Sequence, residues 1–324
     1  MITVDLKAGD VLATNADVLI LKHAQARFGV DAEVLAMIEA EGRHVELPKP
    51  GEFRFERGVD GVSAAKILFI GVPPLGQFNY KEIRSFARQA LSILAAQEPR
   101  AEVALMTIHG AGYGLDELEA FGAEIAGLID AIREGDRPKS LRRVTIVESN
   151  TKRAERLDYN LRHLLPSGSI PEMSSSSGVS YSAPAMRARE AGLESAAKPH
   201  AFVAMPFIDE MDDVYHYGIQ QAVHAAGLLC ERADGSAFTG DVLEWVQTRI
   251  QTASIVIADL TDANPNVYLE VGYAWGRGIR TVLLTKSTEH LRFDVRGQRC
   301  LIYKKIKELE DLLSKELKEL NLGA

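Results

Sequence analysis

Cysteine is nearly absent: the 324 residues hold two, Cys230 and Cys300. That excludes a disulfide-stapled fold and leaves no cysteine cluster for zinc. Long apolar runs are missing as well. No stretch approaches the roughly 18 residues that a membrane helix requires, and the N-terminus shows no secretory pattern, so the expected compartment is the cytoplasm, off the membrane. Positive charge is in deficit, with 37 Lys and Arg against 45 Asp and Glu and a formal net charge of −8. Broad nucleic-acid binding needs clustered cations, and this balance argues against it.

What remains is the composition of a soluble globular protein, 46% hydrophobic and 25% charged, at a length that suits two domains. Between Pro166 and Pro199 the hydrophobic periodicity stops. The stretch is rich in serine, alanine and proline and holds almost no bulky aliphatic residues. It cannot bury enough surface to offset chain entropy and reads as a linker, with a short helix allowed over Ala185–Ala197. The expected organisation is a domain over 1–165, a flexible linker over 166–198 and a second domain over 199–324.

Both halves read as α/β. Strands are expected at Val18–Leu21, Lys66–Ile70, Ala104–His109 and Val144–Glu148, with helices near Ala32–Glu41, Lys81–Ala96, Asp116–Glu134 and Thr151–Leu164. In the second half strands at Ala201–Met205, Leu228–Arg232, Ser254–Ala258, Thr281–Thr285 and Cys300–Tyr303 alternate with helices at Asp213–Ala226, Asp241–Thr252, Pro265–Arg277 and Ile306–Leu320. Such alternation predicts a parallel sheet. The last helix has apolar residues at helical spacing over only about two heptads, which predicts docking rather than a coiled coil.

The stretch Ser254–Gly276 is the most informative. A β-branched apolar run ends in Asp259, and a helix then opens on Asn264-Pro265, a strong start signal. Glu270 stands about a turn and a half in, beyond the reach of the helix dipole and among Val267, Leu269, Val271 and Ala274. Ligands gather at the carboxyl ends of strands in open α/β sheets, so a placed carboxylate is the simplest reading. The alternatives are an ion pair of Glu270 with Arg232 or Arg277, and a turn-capping Asp259. Tyr273 and Trp275 read as packing residues first, and His216 as a surface or boundary histidine.

Phe202–Phe207, Arg232, Ile257–Thr261, Asn264–Val267, Glu270–Ala274 and Phe293-Asp294, in that order, resemble the nucleoside 2-deoxyribosyltransferase-like superfamily, closest to its TIR-like bacterial members. The resemblance covers about Pro199–Tyr303 and implies a flavodoxin- or Rossmann-like sheet. It implies Glu270 as nucleophile at the anomeric carbon, since a carboxylate can stabilise or capture an oxocarbenium ion. By the same analogy Asp259 joins the catalytic set. Met205, Pro206 and Phe207 line the base or ribose pocket, Arg232 meets a phosphate or carboxylate, Asn264 and Asn266 hold the ribose or base, and Tyr273 orients the carboxylate. The loop before the helix, with Asp262 and Asn264, departs from the family's additional acid.

In the first half, Lys7–Val11 and Asn15–Ile20 resemble the opening of a macro domain, and Thr107–Asp116 its glycine-rich diphosphate loop. The N-terminal domain of leucine aminopeptidases shares that fold and is an equal relative. This resemblance implies a ligand loop of Asp10, His109, Gly110, Gly112, Tyr113 and Gly114, with His109 and Asp116 able to act on a ligand. Glycines entering a helix N-terminus can present several N–H groups to an anion. The segment after Leu21 departs from the family, reading Lys22-His23-Ala24-Gln25.

Together the resemblances imply an enzyme cleaving the N-glycosidic bond of a nucleoside, nucleotide or NAD, regulated by a nucleotide-type signal, in the setting of a bacterial defence or stress effector. The alternative is a nucleotide-sensing module that assembles or recruits partners without turnover. No cofactor or metal is required in this reading. NAD or a nucleotide enters as substrate or ligand, and a homo-oligomer is allowed.

Overall fold

A computed structural model describes residues 1–74, 76–110, 114–170, 190–232, 242–289 and 291–320. The chain forms two compact units, Met1–Ala111 with Glu117–Ala196, and Gly112–Asp116 with Ala197–Ala324. Each is an α/β sheet flanked by helices.

In the first unit, strands β1 (Ile2–Ala8), β2 (Val18–His23), β3 (Phe53–Arg57), β4 (Lys66–Gly71), β5 (Val103–Thr107), β6 (Arg143–Glu148) and β7 (Ser169–Ile170) lie in the order β3-β4-β2-β5-β6-β1-β7. The five inner strands are parallel, and the two edge strands run antiparallel to their neighbours. β2 is buried almost throughout, as befits a central parallel strand covered on both faces. Helices α1 (Gly29–Ala40), α2 (Tyr80–Gln97), α3 (Glu117–Glu134) and α4 (Thr151–Leu164) complete the unit. α1 packs Val34, Leu35 and Ile38 on Leu19, Leu21, Phe69 and Leu105. Asn79 and Asn150 cap α2 and α4, their side chains accepting from backbone N–H groups of the first turns.

Sequence patterning passes over β1, β3 and β7. β3 is a half-exposed edge strand and β7 has two residues, so neither carries a clear apolar run. The segment read as a linker is ordered at its described ends. Ile170 and Ser169 pair with β1, while Arg84 Nη1 donates to the Ala191 carbonyl at 2.7 Å. Ser195 Oγ donates to Glu119 Oε1 and accepts from the Gly192 N–H. The remainder, 171–189, lies outside the described residues, as do the first five residues of the helix allowed over Ala185–Ala197, whose described end forms turns and a short 3-10 turn at Ser195–Ala197 instead.

In the second unit, β8 (His200–Ala204), β9 (Leu229–Glu231), β10 (Ile255–Asp259), β11 (Thr281–Thr285) and β12 (Cys300–Ile302) form an all-parallel sheet ordered β12-β11-β10-β8-β9. Counted within the unit this is 2-1-3-4-5, the flavodoxin-like order. Successive strand residues point to opposite faces. Ala201, Val203, Ile255 and Ile257 meet Met211, Val214, Ile219, Leu309, Leu313 and Leu317; Phe202, Ala204, Val256 and Ala258 meet Val246, Ile250, Val267, Val271 and Ala274.

The first crossover of this unit is not the single helix expected over Asp213–Ala226. It comprises α5 (Asp209–Asp213), a π-helical turn (Val214–Ile219) and α6 (Gln220–Ala225). α7 (Val242–Thr252), α8 (Pro265–Gly276) and α9 (Ile306–Glu319) follow. A glycine sits in the π turn because α9 presses on it: a Cβ on Gly218 would lie 2.8 Å from Leu309 Cδ2. α9 docks through Leu309, Leu313 and Leu317, each four residues apart on one face. No described helix is long and apolar enough to cross a membrane.

Candidate functional site

The second sheet has its topological switch point between β8 and β10. β8 continues to β9 on one side and β10 to β11 on the other, so adjacent strands send their carboxyl-terminal connections in opposite directions. Ligands bind at such a switch point. Met205-Pro206-Phe207 leaves β8 there, and the Leu260–Asn264 turn with α8 leaves β10. The turn is strained: Asp262 and Ala263 hold φ of 61° and 50°, a region L-residues avoid at a cost of about 1–3 kcal/mol each.

Asn264 ends that turn and caps α8, its Oδ1 accepting from the Asn266 N–H at 2.9 Å. With Pro265 at the first helical position this fixes the phase of α8. Val267, Val271 and Ala274 face the core, and Glu270 lies on the flank of that buried arc, itself half-buried. Among the described residues no hydrogen bond or ion pair engages its carboxylate. Burial alone pushes the Glu270 carboxyl up to about 7. It pairs with neither Arg232 nor Arg277. Among the described residues Glu270 is therefore a desolvated acid without a counter-ion, not a member of a structural ion pair.

Asp259 is used differently. It is fully buried, Oδ1 accepting from the Thr261 N–H at 2.9 Å and Oδ2 from the Tyr303 hydroxyl at 2.6 Å. Burial and then the charge of Asp259 drive the Tyr303 phenol well above its ordinary range. Both oxygens therefore hold the turn to β12, and the catalytic part implied for Asp259 is replaced by a positioning one. Tyr303 carries no sequence signal for this, because only the register of the last strand brings it under β10.

The other implied contacts divide. Met205 and Pro206 are buried and Phe207 is 47% exposed. The Arg232 guanidinium lies 4.0 Å from the Tyr215 ring centroid and 5.2 Å from that of Phe207, with Asp212 3.9 Å away and Met205 Sδ 3.8 Å from Nη1. It is thus a stacked, acid-neighboured cation rather than an anion clamp. Asn266 is exposed, with its N–H given to the cap. Tyr273 does not orient Glu270: its hydroxyl accepts from the Gln251 amide. His216 is buried, not superficial, with Nδ1 3.2 Å from Gln220 Oε1 and Nε2 3.4 Å from Asp212.

The first sheet has its own switch point, between β2 and β5. β2 continues through α1 and β3 to β4 on one side, and β5 through α3 to β6 on the other. Lys22 and His23 close β2 there, and His109-Gly110 follows β5. A strained residue recurs: Gln25, φ 58°, is held by its amide donating to the carbonyls of His23, Pro48 and Val72. His109 is buried against the Phe86 ring, its centroid 4.5 Å away. Glu124, fully buried on α3, takes both the His109 backbone N–H and its Nδ1, each at 3.1 Å. Lys22 is held below its ordinary pKa by burial, against the opposing pull of Asp31 and Glu124.

The implied glycine loop fares unevenly. Gly110 has φ 83°. Gly112 and Tyr113 lie outside the described residues. Gly114, φ 93°, belongs to the second unit, where the space a side chain would need is filled by an indole: a Cβ there would fall 1.8 Å from Trp245 Cη2. That glycine admits Trp245 rather than a diphosphate. Asp116, in the same segment, is buried with Oδ2 2.5 Å from His224 Nε2 and accepting from the Cys230 N–H at 2.8 Å. Asp10 follows β1, two strands away from β5, and accepts from the Leu12 N–H at 2.8 Å. It caps a turn. Among the described residues no acid, histidine and cysteine cluster could hold a metal.

No family model and no curated protein matches the chain. Similar solved structures include an Oceanobacillus iheyensis macrodomain with MES bound, at 16% identity and TM-score 0.39 over 50% of this chain and 91% of that one. A Trypanosoma brucei macrodomain in complex with ADP matches at 17% identity and TM-score 0.39 over 49% of this chain and 69% of that one. A tomato leucine aminopeptidase variant matches at 12% identity and TM-score 0.33 over 98% of this chain and 89% of that one. At scores this low, function is read from the site itself.

Proposed function

We propose that the second unit cleaves the N-glycosidic bond of a nucleoside, nucleotide or NAD, with Glu270 as the group that meets the anomeric carbon. One observation carries this reading: a half-buried carboxylate without a counter-ion among the described residues, on the helix that leaves the sheet's switch point, whose ionisation falls near neutrality. As the bond to the base breaks, positive charge develops at the sugar carbon, and a poorly solvated carboxylate gains more from that charge than it does from the neutral ground state. Phe207, exposed after β8, offers a face for the base, and the strained Asp262–Ala263 turn sets the angle at which α8 leaves the switch point. The first unit, with its own switch point at β2 and β5, is the regulatory half that receives a nucleotide-type signal.

The test is base release from NAD, nucleosides and deoxynucleotides, followed chromatographically, with Glu270→Gln as the decisive variant. Unchanged release in that variant removes Glu270 from the reaction. A second reading, nucleotide recognition without turnover, is favoured by the engagement of Asp259, both of whose oxygens already accept hydrogen bonds. Calorimetry showing binding of a nucleotide with no base released would establish it.

A further inference from the structure

A strap of the first unit, Glu190–Ser195, lies on α2 and α3. Arg84 of α2 is buried and paired through Nε with Asp130 of α3 at 2.8 Å, and it turns Nη1 to the Ala191 carbonyl at 2.7 Å. Glu119 of α3 accepts from the Ser195 hydroxyl at 2.5 Å, and that hydroxyl oxygen accepts from the Gly192 N–H at 3.0 Å. Gly192 holds φ 82°, and a Cβ on it would lie 2.9 Å from the Ala123 methyl and 3.0 Å from the Tyr80 carbonyl. That point suits glycine alone. The strap brings little apolar surface to the contact. Leu193, its one large apolar side chain, is 57% exposed, and Glu194 is exposed as well. Burial of apolar surface holds most elements in a fold, and here that contribution is small. The strap is seated instead by contacts of the kind that recognise a peptide: a guanidinium on a main-chain carbonyl, a carboxylate on a hydroxyl, and a close approach open only to glycine.

We infer that Glu190–Ser195 is an intramolecular peptide ligand: it leaves α2 and α3 as a unit while both helices stay folded, and the surface it vacates takes a peptide of the same pattern, a glycine followed at the third position by a serine. The two helices hold each other without it. Gly127 brings them so close that a Cβ there would sit 2.2 Å from the Arg84 carbonyl, and the Arg84–Asp130 ion pair joins them. Release of the strap leaves Arg84 with Asp130 and returns the half-buried Glu119 carboxylate to water, so neither charge is stranded.

The same contacts state what the surface reads. A side chain in place of the glycine collides with Ala123 and Tyr80. A phosphorylated or acidic residue in place of the serine meets Glu119 with like charge. The inference is independent of the role given to Glu270.

The experiment is amide hydrogen exchange of the full chain across a urea series, followed by fluorescence anisotropy with a labelled synthetic peptide of residues 190–197. In the seated strap the N–H groups of Gly192, Leu193 and Glu194 are each hydrogen-bonded. They should exchange through an opening that urea hardly accelerates, on the order of tenfold or more faster than amides in the middle of α2 and α3, whose exchange should rise steeply with urea. Gly192→Ala should speed the strap amides by about tenfold to a hundredfold, from the strain of a side chain at positive φ, with both helices unchanged. The peptide should bind the Gly192→Ala chain at least about tenfold more tightly than the wild type, whose own strap competes for the surface. Peptides with alanine for the glycine, or phosphoserine for the serine, should not bind. Ser195→Ala should repeat the faster exchange, and Glu270→Gln should change nothing. The urea series is read on the unmodified protein, so a variant that fails to fold does not decide the matter. Strap amides that exchange only together with the helices overturn the inference, as does a peptide that binds neither chain or both equally.

Discussion

The end of β10 and the helix that follows it carry one acid each, eleven residues apart, and the fold treats them in opposite ways. Asp259 has no exposed surface, yet both its oxygens are met, by Thr261 N–H and Tyr303 hydroxyl. Glu270 keeps some exposure and has no partner among the described residues, and its carboxyl is pushed up to about 7. Burial by itself therefore says little about chemistry. The deeply buried acid is a structural tie, and the shallower one carries the uncompensated charge that a reaction can use.

The contrast is open to attack at several points. The largest effect is expected from Glu270→Gln on base release, a loss on the order of a thousandfold in kcat/KM. In the wild type, kcat/KM should rise with pH through about 7 as Glu270 ionises, and the Gln variant should lack that limb. A flat wild-type profile with full activity at low pH would break the contrast.

The same substitution should act on stability with a defined sign. Because the folded-state pKa of Glu270 lies above its ordinary value of 4.5, the ionised form is penalised in the fold. That penalty is absent at low pH, grows from the ordinary carboxylate range upward and levels off beyond about 7. Gln has no charge to desolvate. Glu270→Gln should therefore be more stable than wild type above neutrality, by up to about 3 kcal/mol at roughly 1.4 kcal/mol per pKa unit. At about pH 4 the two should unfold alike. Urea titrations at both pH values measure it, and equal stability throughout would mean that the carboxylate is well solvated after all.

Tyr303→Phe probes the other acid. Removing the donor from a buried carboxylate should cost about 1.5–3 kcal/mol, the value of a hydrogen bond to a charged group, read by urea titration. A neutral result would show that the phenol is a spectator. The smallest expected effect is that of Asn264→Ala, about 1 kcal/mol from the lost helix cap. It should also lower base release, because the cap holds the helix phase that presents Glu270. Lost stability with unchanged release would uncouple the cap from the site.

Much of this was open to inspection in the sequence. Apolar runs marked nine of the twelve strands among the described residues, because a parallel strand covered by helices is apolar on both faces. Asn264-Pro265 and the position of Glu270 within a helical period marked the site, as capping chemistry and periodicity are local. β3 and β7 were hidden because a half-exposed edge strand and a two-residue strand carry weak patterns, and β1 because its second half is only partly buried. The π turn at Val214–Ile219 was hidden because its sequence, VYHYGI, is also compatible with an ordinary helix. His216 likewise gave no local sign that it would be buried between Asp212 and Gln220.

The sequence by itself determined two α/β sheets, the start of the helix bearing Glu270 and the isolation of that acid among apolar neighbours, for all of these follow from interactions within a few residues. Only the tertiary structure decided what each polar group meets. Strand order placed His109 and Lys22 at the ends of neighbouring strands and Asp10 two strands from β5. The register of β12 gave Asp259 its second partner, and the packing of Trp245 took the space beside Gly114. Those outcomes depend on pairs far apart along the chain, 44 residues in the case of Asp259 and Tyr303, and no local propensity encodes such a meeting.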